Sequence, residues 1–94
     1  MIDVGNGVAG GSPSNPVAMA NYTYESGAHH ATFPFKSKST DKFYTVLGDE
    51  IFPQGIDVYT TNETAGFIHF VDFTDIINPE EVARYELPGH GSHN

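Results

Sequence analysis

The sequence predicts an all-β fold, and three observations carry that prediction. Helical periodicity is nearly absent along the chain. Short runs rich in β-branched and aromatic residues recur, separated by clusters of Gly, Pro, Asn, Asp and Ser. A pattern of turn and strand residues also appears twice, which marks an internal repeat.

Five runs have strand length: residues 17–24, 29–35, 42–48, 66–73 and 81–87. Residues 5–14, a low-complexity Gly/Ser/Pro stretch, are expected to form a flexible loop before the first run. In the fourth, Phe67, His69, Val71 and Phe73 face one way and Ile68, Phe70 and Asp72 the other. Both faces are then largely apolar, as in a strand covered on two sides. Residues 50–65, with Pro53, Gly55 and Asn62, read as an insertion between strands. The stretch from Asn78 to Tyr85 also has a helix-start reading, with Asn78 as N-cap and Pro79 in the first turn. The repeat argues for a strand there instead.

Composition narrows the function classes. The 94 residues make at most one domain, and a formal charge of −8 repels phosphate backbones and anionic headgroups. Nucleic acid is therefore not an expected partner. Without cysteine there is no disulfide framework, thiolate metal site or cysteine nucleophile. No run of about 18 apolar residues is present for a membrane-spanning helix, and the chain does not open on a signal peptide.

The repeat has three features in the same order. An aliphatic-Asp pair comes first, Ile2-Asp3 in one copy and Val71-Asp72 in the other. An Asn-Pro turn and an alternating segment follow, from Asn15 to Tyr22 and from Asn78 to Tyr85. A Gly-small-His segment closes each copy, Gly27-Ala28-His29-His30 and Gly91-Ser92-His93-Asn94. A period of roughly 60 residues holding four strands is at the long end for a propeller blade.

These residues resemble the LVIVD-repeat β-propellers, whose blades carry an aliphatic-Asp strand end, an Asn-Pro turn, a strand ending in an aromatic and a Gly-small-His lead-in. The matching residues are Phe70-Val71-Asp72, Asn78-Pro79, Val82-Ala83-Arg84-Tyr85 and Gly91-Ser92-His93-Asn94. The insertion at residues 50–65 departs from the compact family pattern. The resemblance implies a β-propeller fragment built on a four-stranded antiparallel blade. Residues 1–27 would end a preceding blade, 28–88 form one full blade and 89–94 lead into the next. It further implies that the remaining blades of the propeller are this segment's partners, and an extracytoplasmic location. A lone blade would leave Phe33, Phe35, Tyr44, Val46, Phe67, Ile68, Phe70 and Val71 short of cover. Each large apolar residue left exposed forfeits roughly 1.5–3 kcal/mol, against a typical net stability of about 5–15 kcal/mol. An isolated blade is therefore expected to be marginal.

Two functional readings follow. In the first, the segment is a non-catalytic scaffold for protein or ligand interaction, needs no cofactor, and uses the apolar residues Phe52, Ile56, Val58 and Tyr59 of the insertion as its contact surface. In the second, histidines at the propeller axis bind a transition metal (zinc, copper or iron) in the complete ring and support an enzyme. Its ligands here would be His29 or His30, His93 and Glu50, with Asp49 as a second carboxylate. Adjacent strand residues point to opposite faces, so at most one of His29 and His30 reaches a given ion. Against that reading, Asp49 and Glu50 also suit solvated turn positions, and His69 suits a satisfied core histidine. Asp3, Asp72, Asp75 and Asn78 fit turns in which a side chain accepts backbone N–H bonds. No Gly-x-Ser-x-Gly elbow or phosphate-binding glycine loop is present. Asn21-Tyr22-Thr23 and Asn62-Glu63-Thr64 match the glycosylation pattern without pointing to a function.

Overall fold

The computed structural model describes residues 1–24, 28–51 and 60–92. The fold is all-β, with six strands: β1 (Ile2–Asp3), β2 (Val17–Ala18), β3 (His29–Lys36), β4 (Phe43–Asp49), β5 (Ile68–Asp72) and β6 (Glu80–Tyr85). Strands β3-β4-β5-β6 form a four-stranded antiparallel meander in sequence order, and β1-β2 form a separate two-stranded hairpin. Residues 80–85 are a strand, not a helix. Their N–H and C=O groups have a partner strand in β5, and Val82 and Tyr85 are better suited to a pleated surface than to a helix. Among the described residues no helix is long and apolar enough to cross a membrane.

Register divides the meander into two faces, because residues directly opposite one another share a side. The row Thr32, Leu47, His69 and Arg84 and the row Pro34, Thr45, Val71 and Glu81 lie on one face. The rows Ala31, Gly48, Ile68, Tyr85 and Phe33, Val46, Phe70, Ala83 lie on the other. The core sits on the first face, where Leu47, Val71 and Phe73 are buried and Tyr22, Tyr24 and Phe43 pack against them. Each of those burials contributes roughly 1.5–3 kcal/mol. The second face is open, with Phe33 67% exposed and Tyr85 53% exposed. A radius of gyration of 15.9 Å exceeds the roughly 12–13 Å of a compact chain this long, as expected for a slab rather than a closed sandwich.

Two sequence expectations need correction at the first strands. In the run at residues 17–24 the strand is confined to Val17–Ala18, Met19 and Ala20 still bond to Met1, and the rest crosses over the sheet as irregular chain. Its tyrosines are used to cover the core instead of extending a ladder. Residues 5–14 are organised rather than merely flexible. The Asp3 carboxylate accepts backbone N–H bonds from Gly5 (2.9 Å), Ala9 (3.0 Å) and Gly11 (3.2 Å), and Ser12 bridges Asn15. A methyl group at Gly7 or Gly11 would overlap Asp3, so the wrap is possible only with glycine there.

The two copies of the sequence pattern have the same local geometry. Asp3 pairs with Val17 and Ile2 with Ala18; Asp72 pairs with Glu80 and Val71 with Glu81. In each copy the residue after the Asn-Pro proline therefore lies opposite the aspartate. The next step is irregular in both. Met19 and Ala20 both donate to the Met1 carbonyl, and Val82 is the extra residue opposite the Phe70–Val71 step. Each aspartate also accepts the N–H two residues on, Gly5 at 2.9 Å and Thr74 at 2.8 Å. The loop between them is six residues longer in the first copy.

Candidate functional site

The densest polar constellation among the described residues lies inside the covered face, centred on Asp49 and His69, both fully buried. Strand parity puts Asp49 there, since Thr45, Leu47 and Asp49 alternate inward along β4. His69 Nε2 lies 3.1 Å from Asp49 Oδ2, and Nδ1 lies 2.8 Å from Glu81 Oε2. Asp49 takes two further bonds, from the Tyr24 hydroxyl at 2.6 Å and the Phe67 N–H at 3.0 Å. The Tyr24 ring stacks on His69 at 3.9 Å, and Arg84 closes the chain with 2.9 and 3.4 Å bonds to Glu81.

The electrostatics follow from these contacts. Burial pushes the Tyr24 phenol up, and the hydrogen bond its hydroxyl donates to Asp49 adds to the shift. Burial also works against charge on Glu81, but hydrogen bonds from Arg84 and His69 outweigh it and leave the carboxyl below its ordinary value. The His69 ring and the Asp49 carboxylate are sealed from solvent. The arrangement clamps the crossover onto the sheet, with Glu81 and Arg84 at its partly exposed edge.

The predicted metal ligands lie at the start of β3 and the end of β4. His30 Nδ1 is 2.9 Å from Glu50 Oε2, which brings two of them together. His29 turns elsewhere, pairing its Nε2 with the Thr32 hydroxyl and lying 6.2 Å from the Tyr24 ring. A register shift between His29 and Ala31 gives the two histidines separate surroundings. Asp49 serves His69 and not the β3 histidines, and its burial corrects its reading as a solvated turn residue. His93 and the insertion residues Phe52, Ile56, Val58 and Tyr59 lie outside the described residues. Among the described residues no group of three or more His, Asp or Glu side chains is placed to hold a metal ion.

Sequence reasoning identified His69 as a core histidine but missed Tyr24 as its lid and Ser92 as a second fastener. The Ser92 hydroxyl donates to the Asp49 carbonyl at 2.7 Å and to the Phe67 carbonyl at 3.2 Å. Backbone bonds between Ala65 and the segment from His90 to Ser92 hold the outgoing chain beside it. Incoming and outgoing segments thus meet at the same end of the sheet. Parity with Leu47 was the available signal for Asp49; no periodic signal marks a contact made across irregular chain. Comparisons with protein families, with curated proteins and with solved structures find no match for this chain.

Proposed function

We propose that this chain is a segment of an LVIVD-type β-propeller acting as a non-catalytic interaction scaffold. The observation that carries the reading is the geometry shared by the two copies of the pattern. The same pairing, the same extra residue and the same aspartate turn recur at β1-β2 and β5-β6. A four-stranded antiparallel meander followed by a chain returning across its end is also the form one blade would take. The buried histidine is consumed by structural bonds, which favours a scaffold over catalysis.

A second reading, a metal-dependent enzyme with histidines at the axis, draws support from the 2.9 Å contact between His30 and Glu50. Zinc, copper(II) or iron(II) added to the chain tests the ligands that this segment itself would contribute. With histidine ring signals followed by NMR, the scaffold reading predicts no stoichiometric binding at micromolar metal. Tight one-to-one binding that moves the His30 ring and is abolished by Glu50→Gln would overturn it in favour of the metal reading.

A further inference from the structure

The crossover chain does not lie flush on the sheet. Between Asn21-Tyr22 and the β3-β4 side of the covered face is a cleft of about 330 Å³, at the low end of the roughly 300–1,000 Å³ of small-molecule sites. Its walls are Tyr22, Leu47 and Phe73, with the Tyr22 and Phe73 rings edge-on at 6.0 Å. Asn21, His29 and Thr32 stand at the exposed mouth, where His29 Nε2 bonds the Thr32 hydroxyl. Among the described residues no Asp, Glu, Lys or Arg lines the cleft.

Thr45 is the telling residue. It alternates inward with Leu47, lines the cleft and is only 3% exposed. Yet among the described residues its hydroxyl has no hydrogen-bond partner. A valine would fill nearly the same volume without a polar atom, and a buried hydroxyl is unfavourable until it is bonded. We infer that the cleft binds a small uncharged aromatic molecule carrying one hydroxyl or carbonyl group, its ring against Tyr22, Leu47 and Phe73 and its oxygen on the Thr45 hydroxyl. Aromatic and aliphatic walls call for the ring, and Thr45, which can donate or accept, calls for the oxygen. A charged ligand would find no carboxylate, lysine or arginine in the cleft to pair with, and an anion would also meet the chain's formal charge of −8. The cleft is formed within this chain, so the site does not depend on the propeller reading.

The test is an NMR titration of the 94-residue chain with 2-naphthol, with naphthalene and 2-naphthoate as comparisons. 2-Naphthol should bind with a dissociation constant of about 0.1 mM, a strength within reach of so small a ligand. Its ring protons should show nuclear Overhauser contacts to the Thr45 and Leu47 methyls. Naphthalene and 2-naphthoate should each bind about fivefold more weakly or worse, since one lacks the oxygen and the other carries a charge. Thr45→Val should weaken 2-naphthol about fivefold and leave naphthalene unchanged. Contacts to the Val46 and Ala83 methyls instead would mean adsorption on the open face and overturn the inference. So would a titration that does not saturate by about 1 mM, tenfold above the expected constant. Unchanged binding of 2-naphthol to Thr45→Val, or tighter binding of 2-naphthoate, would overturn it as well. The contacts made on the unsubstituted chain decide the point even if Thr45→Val does not fold.

Discussion

Asp49 shows how much one residue can organise when strand parity turns it inward. Its carboxylate holds Tyr24, Phe67 and His69, and its carbonyl accepts from Ser92. Leaving buried hydrogen-bonding groups without a partner costs about 1–3 kcal/mol each, so Asp49→Ala should destabilise the chain by at least about 3 kcal/mol in urea unfolding. Tyr24→Phe removes a single hydrogen bond to a charged group and should cost about 1.5–3 kcal/mol. Because the two share one network, a double-mutant cycle between them should show non-additivity. Asp72 contributes to the acid limb, together with Asp3, Asp75 and Glu81. Bonds from the Thr74 hydroxyl and N–H, with Lys42 beside it, hold its carboxyl at about 2. A folded value below the ordinary 3.8 means the stabilisation is present above about pH 4 and lost as pH falls toward about 2. Asp72→Asn should flatten acid unfolding over that window. Tyr24, shifted the other way, contributes below the ordinary phenol value and loses its contribution at higher pH, so alkaline absorbance titration should show it ionising late.

At the scale of elements, four of the five expected runs were legible as strands because turn residues bound them. The four strands of the meander fall within about two residues of expectation. The helix reading of residues 78–85 failed because local capping chemistry lost to pairing with β5. Residues 19–24 misled for a different reason. Their alternation resembles a strand, yet it serves to place Tyr22 and Tyr24 on a sheet already built. Composition likewise concealed the order in residues 5–14, where the glycines are needed for close approach to Asp3. Just before β5, Gly66 has φ +92°, and an added methyl would press on the Ser92 hydroxyl and on Asp49 Cβ. Gly66→Ala should therefore destabilise by more than about 1 kcal/mol, measured by thermal unfolding, and should release amide protection at Ala65 and Ser92.

Among the described residues, the meander is covered on one side and exposed on the other. Sequence alone indicated two apolar faces on residues 66–73; it gave no sign that the chain's own first 24 residues would cover just one of them. The candidate site was less legible than the fold, because its members come from β4, β5, β6 and the crossover and meet only through tertiary packing. The central claim is that the open face is unfinished surface awaiting a neighbour. Thermal unfolding of the 94-residue chain by circular dichroism, with an apolar dye present before melting, tests it most directly. The account predicts a broad transition below the usual range of about 45–65 °C, and dye binding that falls when Phe33 and Tyr85 are replaced by serine. A sharp transition within or above that range, with no dye bound to the folded chain, would contradict it.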